Sequence, residues 1–219
     1  MPTTFAHLDA LKDQIITRFS SYEPVDEGHR YPWLNCVWHA DTFRRAHLDV
    51  VDVRDTKKLY MMHLTVFPHT TDGSPIFGFD LIAGPNKVTG AFHDFSPIDP
   101  NSPMLGWFSN RVKDLEWSKE RSLPDWAREI FSSSMVAAGN ISDQAELKTV
   151  LDLVDDTLNY HLNSIGAISG EYTDAQNRYC RNQKRNPHTP KVMMSLGFDE
   201  ETVHDFIQTC LFPELPPCS

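Results

Sequence analysis

The hydrophobic pattern divides the chain into an opening helix, a group of strands and a second group of helices. Residues 4–19 carry apolar side chains at helical spacing, which predicts an amphipathic helix. An aromatic segment follows at 31–38, and after it short apolar runs are separated by turns rich in Asp, Gly, Pro and Asn. These runs predict the strands of an antiparallel meander at about 46–54, 58–67, 75–83 and 87–95.

After residue 97 the pattern becomes mainly helical. A stripe of Leu and Val predicts a long amphipathic helix at 142–163, and a polar helix is predicted at 172–186. Thr189 followed by Pro190 is typical of an N-cap with proline at the first helical position. One more strand near 133–138 and a last helix at 199–211 complete the prediction. The order predicts an α+β fold, with one antiparallel sheet between helices, in a single domain over residues 1–219.

Composition excludes several classes of protein. A domain of 219 residues should bury roughly 70% of its unfolded surface, enough for an enclosed ligand pocket. The sequence has no apolar run of the ~18 to 20 residues that a membrane helix needs, and its start lacks the pattern of a signal peptide. The four cysteines form no Cys-x-x-Cys pair, so we expect a cytoplasmic protein without a disulfide framework. A net charge of −10 disfavours nucleic acid as a partner.

One basic segment stands out on this acidic chain. Residues 178–191 contain no acidic side chain and carry five of the cations, Arg178, Arg181, Lys184, Arg185 and Lys191. Such a segment is either a solvated helix face or a surface for an acidic partner, and the residues alone leave both interpretations open.

Sequence motifs for nucleotide cofactors, zinc proteases and serine hydrolases do not occur in the chain. His47, Asp49 and His63 together are a known type of metal-ligand set. Their spacing matches no recognised metal motif, so we expect no metal site, and a metal-dependent hydrolase is a remote alternative.

Asp80 interrupts an otherwise apolar strand, in the segment 75–83. If it is buried, desolvation raises the pKa of its carboxyl, which suits a proton donor at neutral pH. If its face of the strand meets solvent, Asp80 is an ordinary surface residue or the cap of a neighbouring turn. The same choice applies to His63, since a single histidine in a strand is often only structural.

Taken together, several segments resemble the ferredoxin-dependent bilin reductases. The matching elements occur in the family's order from about residue 30 to the end: 42–49, 62–68, 75–85, 92–97, 123–131, Tyr179-Cys180 with Asn186, and Leu211-Phe212. The resemblance implies a three-layer α/β/α sandwich with a central antiparallel sheet. It also implies a pocket for biliverdin IXα, no tightly bound cofactor, and electrons delivered singly by a reduced [2Fe–2S] ferredoxin. The enzyme then supplies protons, and the basic segment becomes a docking surface for the acidic ferredoxin.

The resemblance also assigns roles to individual residues. Asp80 matches the family's central carboxylate, and His63 matches the catalytic histidine of the phycocyanobilin-forming branch. Asp49 stands where that branch has a glutamate that assists reduction of the D-ring vinyl group. Asn186 matches, but Pro187 replaces a common aspartate. The positions that contact the pigment in relatives are His47, Thr89, Arg121, Trp126 and Gln183. Arg121 is the expected propionate clamp, whereas Trp126 could equally be a core aromatic.

These departures bear on the product. Compact relatives from marine phage and metagenomes resemble the phycocyanobilin enzymes yet make phycoerythrobilin, and the chain shares their traits. We therefore expect four-electron reduction of biliverdin IXα to phycoerythrobilin, through 15,16-dihydrobiliverdin, by a monomeric protein in the cytoplasm, that of the host cell if the gene belongs to a phage. Phycocyanobilin is the alternative product. A bilin-binding protein without turnover is the alternative from another class.

Overall fold

The fold is built on one seven-stranded antiparallel sheet. The structure is a computed structural model that describes residues 3–25 and 30–216. Every strand is hydrogen-bonded to its neighbour in the chain, so strand order follows sequence order. The strands are β1 Glu23–Val25, β2 Leu34–His39, β3 Arg45–Val53, β4 Leu59–Phe67, β5 Ile76–Ala83, β6 Val88–Ser96 and β7 Val136–Ala138. The predicted meander is confirmed.

The helices pack on both faces of this sheet. They are α1 Thr4–Phe19, α2 Arg54–Lys57, α3 Pro103–Val112, α4 Asp125–Arg128, α5 Gln144–Ser164, α6 Thr173–Gln183, α7 His188–Ser195 and α8 Glu200–Asp205, and α8 continues as a π-helix, Phe206–Leu211. Side chains of α1, α3 and α5 form one core cluster with the sheet. Side chains of α6, α7, α8 and the π-helix form a second cluster. The α+β, three-layer α/β/α architecture is therefore confirmed.

The alternation of side chains along β3 shows how the two faces differ. Ala46, Leu48 and Val50 lie in the first core cluster. Val51 lies in the second, on the face covered by the C-terminal helices. Because alternate residues of a strand point to opposite faces, His47 and Asp49 also belong to this second face. Strand β3 thus presents His47 and Asp49 to the C-terminal layer.

The start of one helix was predicted wrongly, and strand β2 was not predicted. The aromatic segment 31–38 contains most of β2, which pairs with both β1 and β3 and had not been predicted as a strand. Thr189 is not an N-cap: α7 begins at His188, and the Asn186 side-chain oxygen accepts a hydrogen bond from the His188 backbone N–H at 3.0 Å. Because the Asn186 side chain already accepts a hydrogen bond from a backbone N–H of the first turn, the helix begins before Thr189. Thr189 and Pro190 therefore lie inside the helix.

Within the described residues, none of the helices combines the length and the apolar composition needed to cross a membrane.

Candidate active site

Three ionisable side chains occupy one row across the centre of the sheet. Asp49 on β3 is directly opposite His63 on β4, and His63 is directly opposite Asp80 on β5. Cross-strand partners lie on the same face, so the three side chains point toward the C-terminal helices together. The meander places these residues side by side although turns separate them in the sequence.

A cavity of about 400 Å³ lies between this row and the C-terminal helices. Its size is within the range of ligand pockets in proteins. The floor is the sheet, and the walls come from α4, α6, α7 and the π-helix. The predicted site residues that line it are Asp49, His63, Asp80, Arg121, Trp126, Gln183 and Asn186. His47 and Thr89 are not among its lining residues, so their direct contact with a ligand stays a prediction.

Asp80 has the electrostatics of a proton donor. Burial raises the pKa of its carboxyl to about 6, because desolvation disfavours the charged form. The positive charge of His63, when protonated, opposes this shift, and the negative charge of Asp49 adds to it. At pH 7 about a tenth of Asp80 therefore keeps its proton, far more than for a carboxyl with the ordinary pKa of 3.8.

The raised pKa of Asp80 predicts a pH-dependent effect on stability. Since the folded-state value of about 6 exceeds the ordinary 3.8, folding favours the protonated form. Ionised Asp80 therefore destabilises the fold above pH 6, and this cost disappears below pH 4. The difference between the two pKa values corresponds to about 3 kcal/mol. We expect Asp80→Asn to raise the free energy of unfolding by up to about 3 kcal/mol at pH 8 and to change it little at pH 4.

Urea denaturation of both proteins at pH 4, 6 and 8 measures this difference. A variant whose stability differs from the wild type by the same amount at all three values would show that the Asp80 carboxyl does not titrate with the expected pKa.

Asp49 and His63 lie in contact at one end of the row. The Asp49 Oδ1 atom is 3.2 Å from the His63 Nδ1 atom, and both side chains are largely buried. The short aspartate therefore stays close to the sheet, beside His63. This geometry lets Asp49 orient the imidazole that neighbours Asp80.

His47 lies below this pair, fully buried. Its Nε2 atom is 2.7 Å from the side-chain oxygen of Asn35, and the Cys210 thiol of the π-helix lies 3.8 Å away from the same nitrogen. Burial, with the nearby charge of Arg45, lowers the pKa of His47 well below its ordinary value, so the imidazole is neutral. His47 thus connects the sheet to the C-terminal layer.

Arg121 lies at the mouth of the cavity and is exposed. Its guanidinium donates to the backbone carbonyl of Thr89, and the Thr89 hydroxyl donates to the backbone carbonyl of Ile82 at 3.0 Å. A Cβ atom at Gly139 would come within 2.8 Å of the Arg121 Nε atom, so the close packing of Arg121 depends on this glycine. The arrangement holds a cation where a carboxylate of a bound ligand could reach it.

Three further predicted residues lie on the wall formed by the helices. Gln183 at the end of α6 donates to the Tyr179 hydroxyl at 2.8 Å. Asn186 faces the cavity beside the start of α7, whose first-turn N–H it caps. Trp126 of α4 lines the cavity and is half-buried. These three residues lie on the helical side of the cavity, whereas Asp49, His63 and Asp80 lie on the sheet.

The sequence interpretation overlooked Asp94 and Tyr179 as site residues. Both line the cavity and both are buried. Burial raises the pKa of Asp94 to about 6, although hydrogen bonds from Ser132 and Ser96 oppose the shift. Asp94 is a second carboxylate in a largely apolar strand, so the reasoning applied to Asp80 would have found it. No comparable signal marks Tyr179, whose position depends on how α6 packs.

The basic segment lies on α6, α7 and the turn between them. Arg181 and Lys184 both form ion pairs with Glu214, and Arg185 pairs with Glu129. Arg178 and Lys191 are exposed, and neither forms a salt bridge within residues 3–25 and 30–216. Part of the positive charge of this surface is therefore already balanced.

Comparisons with known proteins agree with the fold and the site. The family model of the ferredoxin-dependent bilin reductases matches residues 5–213. The phycocyanobilin:ferredoxin oxidoreductase of Prochlorococcus marinus strain MIT 9515 is 29% identical over 219 residues, covering 94% of this chain and 88% of the relative. The enzyme of the same name from strain SARG is 30% identical over 198 residues, covering 85% of this chain and 77% of the relative.

Two solved structures are also similar. The structure of PcyX is 34% identical with a TM-score of 0.70, and the match covers 95% of this chain and 99% of that one. Phytochromobilin synthase from tomato, solved in complex with biliverdin, has a TM-score of 0.75 and is 14% identical over 94% of this chain and 82% of that one. At so low an identity the second likeness shows the fold alone. The match of the family model over nearly the whole chain establishes that this protein belongs to the ferredoxin-dependent bilin reductases, oxidoreductases that act on bilins.

Proposed function

We propose that the protein reduces biliverdin IXα to phycoerythrobilin through 15,16-dihydrobiliverdin, with electrons delivered singly by reduced [2Fe–2S] ferredoxin. The conversion adds four electrons and four protons to the pigment. In this proposal the protein is a monomeric, cytoplasmic enzyme without a tightly bound cofactor. The observation that supports proton donation by the protein is the row of Asp49, His63 and Asp80 on the cavity floor, with the Asp80 pKa at about 6.

In this proposal the residues around the cavity have separate roles in proton donation, pigment binding and exclusion of water. Asp80 donates protons to bilin radicals, and His63, held by Asp49, relays or tunes them. Arg121 pairs with a propionate of the pigment, and Gln183 and Asn186 bind its other side. The aromatic and apolar wall of the cavity, which includes Trp126, excludes water from the radical intermediates.

The choice of product rests on Asp49. Its carboxylate is one methylene shorter than the glutamate of the phycocyanobilin branch, and its Oδ1 atom already lies 3.2 Å from His63. A carboxylate held this close to the sheet is poorly placed to protonate an exocyclic vinyl group farther into the cavity. The first two electrons then reduce the bridge between positions 15 and 16 of the pigment, which gives 15,16-dihydrobiliverdin, the intermediate on the route to phycoerythrobilin.

Anaerobic turnover of biliverdin IXα with reduced ferredoxin, followed by absorbance and chromatography, tests this proposal. We expect phycoerythrobilin from the wild type and a detectable share of phycocyanobilin from Asp49→Glu, because the longer acid reaches farther. Asp52→Glu, an exposed acid on the same strand, is the matched control and should leave the product unchanged. Phycocyanobilin from the wild type would overturn the choice of product. A bound pigment spectrum that reduced ferredoxin does not alter would favour a bilin-binding protein instead.

Ferredoxin docking is proposed for the surface of Arg178, Arg181, Lys184, Arg185 and Lys191. Gln183 and Asn186, which line the cavity, lie in the same stretch of chain as these cations. An acidic partner attracted to this surface would approach the pigment closely, as electron transfer requires. Arg178 and Lys191, which form no ion pair with any of the described residues, should contribute most to the attraction.

A further inference from the structure

Three potential metal ligands lie together at the cavity floor and directly below it. The atoms concerned are Nδ1 of His47, Oδ1 of Asp49 and Nδ1 of His63. Within the described part of the chain none has a hydrogen bond of acceptable geometry, and the Asp49 and His63 atoms have only their 3.2 Å contact with each other. Buried polar atoms without partners are rare, and a cluster of them indicates a bound proton, water or ion. Here the three lie on one face of a rigid sheet, two on β3 and one on β4.

The spacing of the three side chains suits a metal ion. One ligand atom from each residue lies within 4.8 Å of those of the other two. The Asp49 Oδ1 and His63 Nδ1 atoms are 3.2 Å apart. Two ligands bound at about 2.0 to 2.2 Å in tetrahedral geometry are separated by roughly 3.3 to 3.6 Å, slightly more than this distance.

The chemistry of the ligand set also suits a metal ion. The His47 Nε2 atom, as a donor to the Asn35 oxygen, leaves a lone pair on Nδ1. Two imidazoles and one carboxylate on one side of an ion, with the remaining positions open, form a recognised site for divalent transition metals. The open positions face the cavity, because Asp49 and His63 both line it. Arg45 brings positive charge near His47, but Asp49 and Asp80 bring two carboxylates to the same floor.

We propose that His47, Asp49 and His63 of the pigment-free enzyme bind one divalent transition-metal ion, and that the bound ion inhibits turnover. Inhibition follows because the ion occupies Asp49 and His63 and stands beside Asp80, where the pigment must bind. This second statement rests on the proposed function, whereas metal binding does not depend on it.

Cobalt(II) added to the pigment-free protein tests the binding site. We expect one Co²⁺ per chain by equilibrium dialysis, with a visible absorption band typical of low-symmetry nitrogen and oxygen ligation. Asp49→Asn and His63→Asn should each weaken binding at least ~tenfold. His39→Ala removes an exposed histidine from β2 and should leave binding unchanged. Circular dichroism and thermal melting of each variant show whether it is folded. Wild-type protein without the band, or folded Asp49→Asn and His63→Asn variants with unchanged cobalt affinity, would overturn the site.

The inhibition is measured separately. Protein loaded with one equivalent of Zn²⁺ and freed of excess metal is assayed with reduced ferredoxin and biliverdin, with and without EDTA. We expect at least a tenfold lower initial rate that the chelator restores. Zinc-loaded enzyme of unchanged rate would overturn inhibition but not binding. Metal-free enzyme that fails to reduce biliverdin would count against the proposed function, while the cobalt result would still decide the metal site.

Discussion

Replacing Asp80 with asparagine is expected to lower bilin turnover by roughly 10²- to 10⁴-fold, the usual contribution of a positioned general acid. The amide has nearly the shape of the carboxyl, but it has no acidic proton to donate at neutral pH. Because Asp80 lies on the cavity floor and its neighbours are unchanged, we expect the affinity for biliverdin to stay within about threefold of the wild type. Single-turnover absorbance with reduced ferredoxin measures the rate, and pigment titration measures the affinity.

A reaction stalled before protonation should accumulate a one-electron-reduced pigment, visible as a new absorption band and an electron paramagnetic resonance signal. Asp55→Asn, an exposed acid on α2, is the matched control and should turn over normally. If Asp80→Asn reduced biliverdin at a near-normal rate, Asp80 would not be the proton donor, and His63 or a water molecule would have to take that role.

The largest effect on stability is expected from Asp94→Ala. The Asp94 carboxylate accepts hydrogen bonds from the Ser132 backbone N–H and the Ser96 hydroxyl, both at 2.9 Å, and from the Ser132 hydroxyl. Its removal leaves these donors without an acceptor, at about 1 to 3 kcal/mol for each one that water cannot reach. Part of this loss is offset, since burial of the ionised carboxylate is itself unfavourable. We expect the free energy of unfolding to fall by about 2 to 4 kcal/mol in urea denaturation.

The same substitution should weaken pigment binding, because Ser132 holds the loop that carries Phe131 and Met135 onto the cavity wall. Ser132→Ala keeps the carboxylate and its other bonds, so its loss of stability should be near 1 kcal/mol. An Asp94→Ala protein as stable as the wild type would mean that the Ser132 loop does not depend on this carboxylate.

Much of the fold could be predicted because the buried faces of helices and strands require apolar side chains at a regular spacing. The runs that became β3 to β6 alternate or remain apolar over whole strands, and the stripe on α5 repeats at helical spacing. By contrast, β1 and most of β2 depend on pairing with each other and with β3. The start of α7 was misplaced by two residues, because the capping interaction came from Asn186 and not from Thr189.

Some residues of the candidate site could be predicted from the sequence, and others could not. Asp80 and His63 could be found because polar residues in apolar strands are conspicuous, and the family resemblance added roles for their neighbours. Asp94 carried the same signal in the sequence. The positions of His47 and Thr89 were less predictable. His47 is fully buried under the row, and the Thr89 hydroxyl is bonded to Ile82, so neither lines the cavity.

The sequence by itself determined α1, α5, α6 and β3 to β6, the resemblance to the family, and the polar residues Asp49, His63 and Asp80 on adjacent strands. It could do so because these features depend on side-chain period and on pairing between neighbouring strands. Only the tertiary structure decided which residues of the C-terminal half contact the polar side chains of the sheet. The Cys210 thiol meets His47 across 163 positions of chain, and Ser132 meets Asp94 across 38. Such contacts are set by the packing of the C-terminal layer on the sheet, which no local pattern encodes.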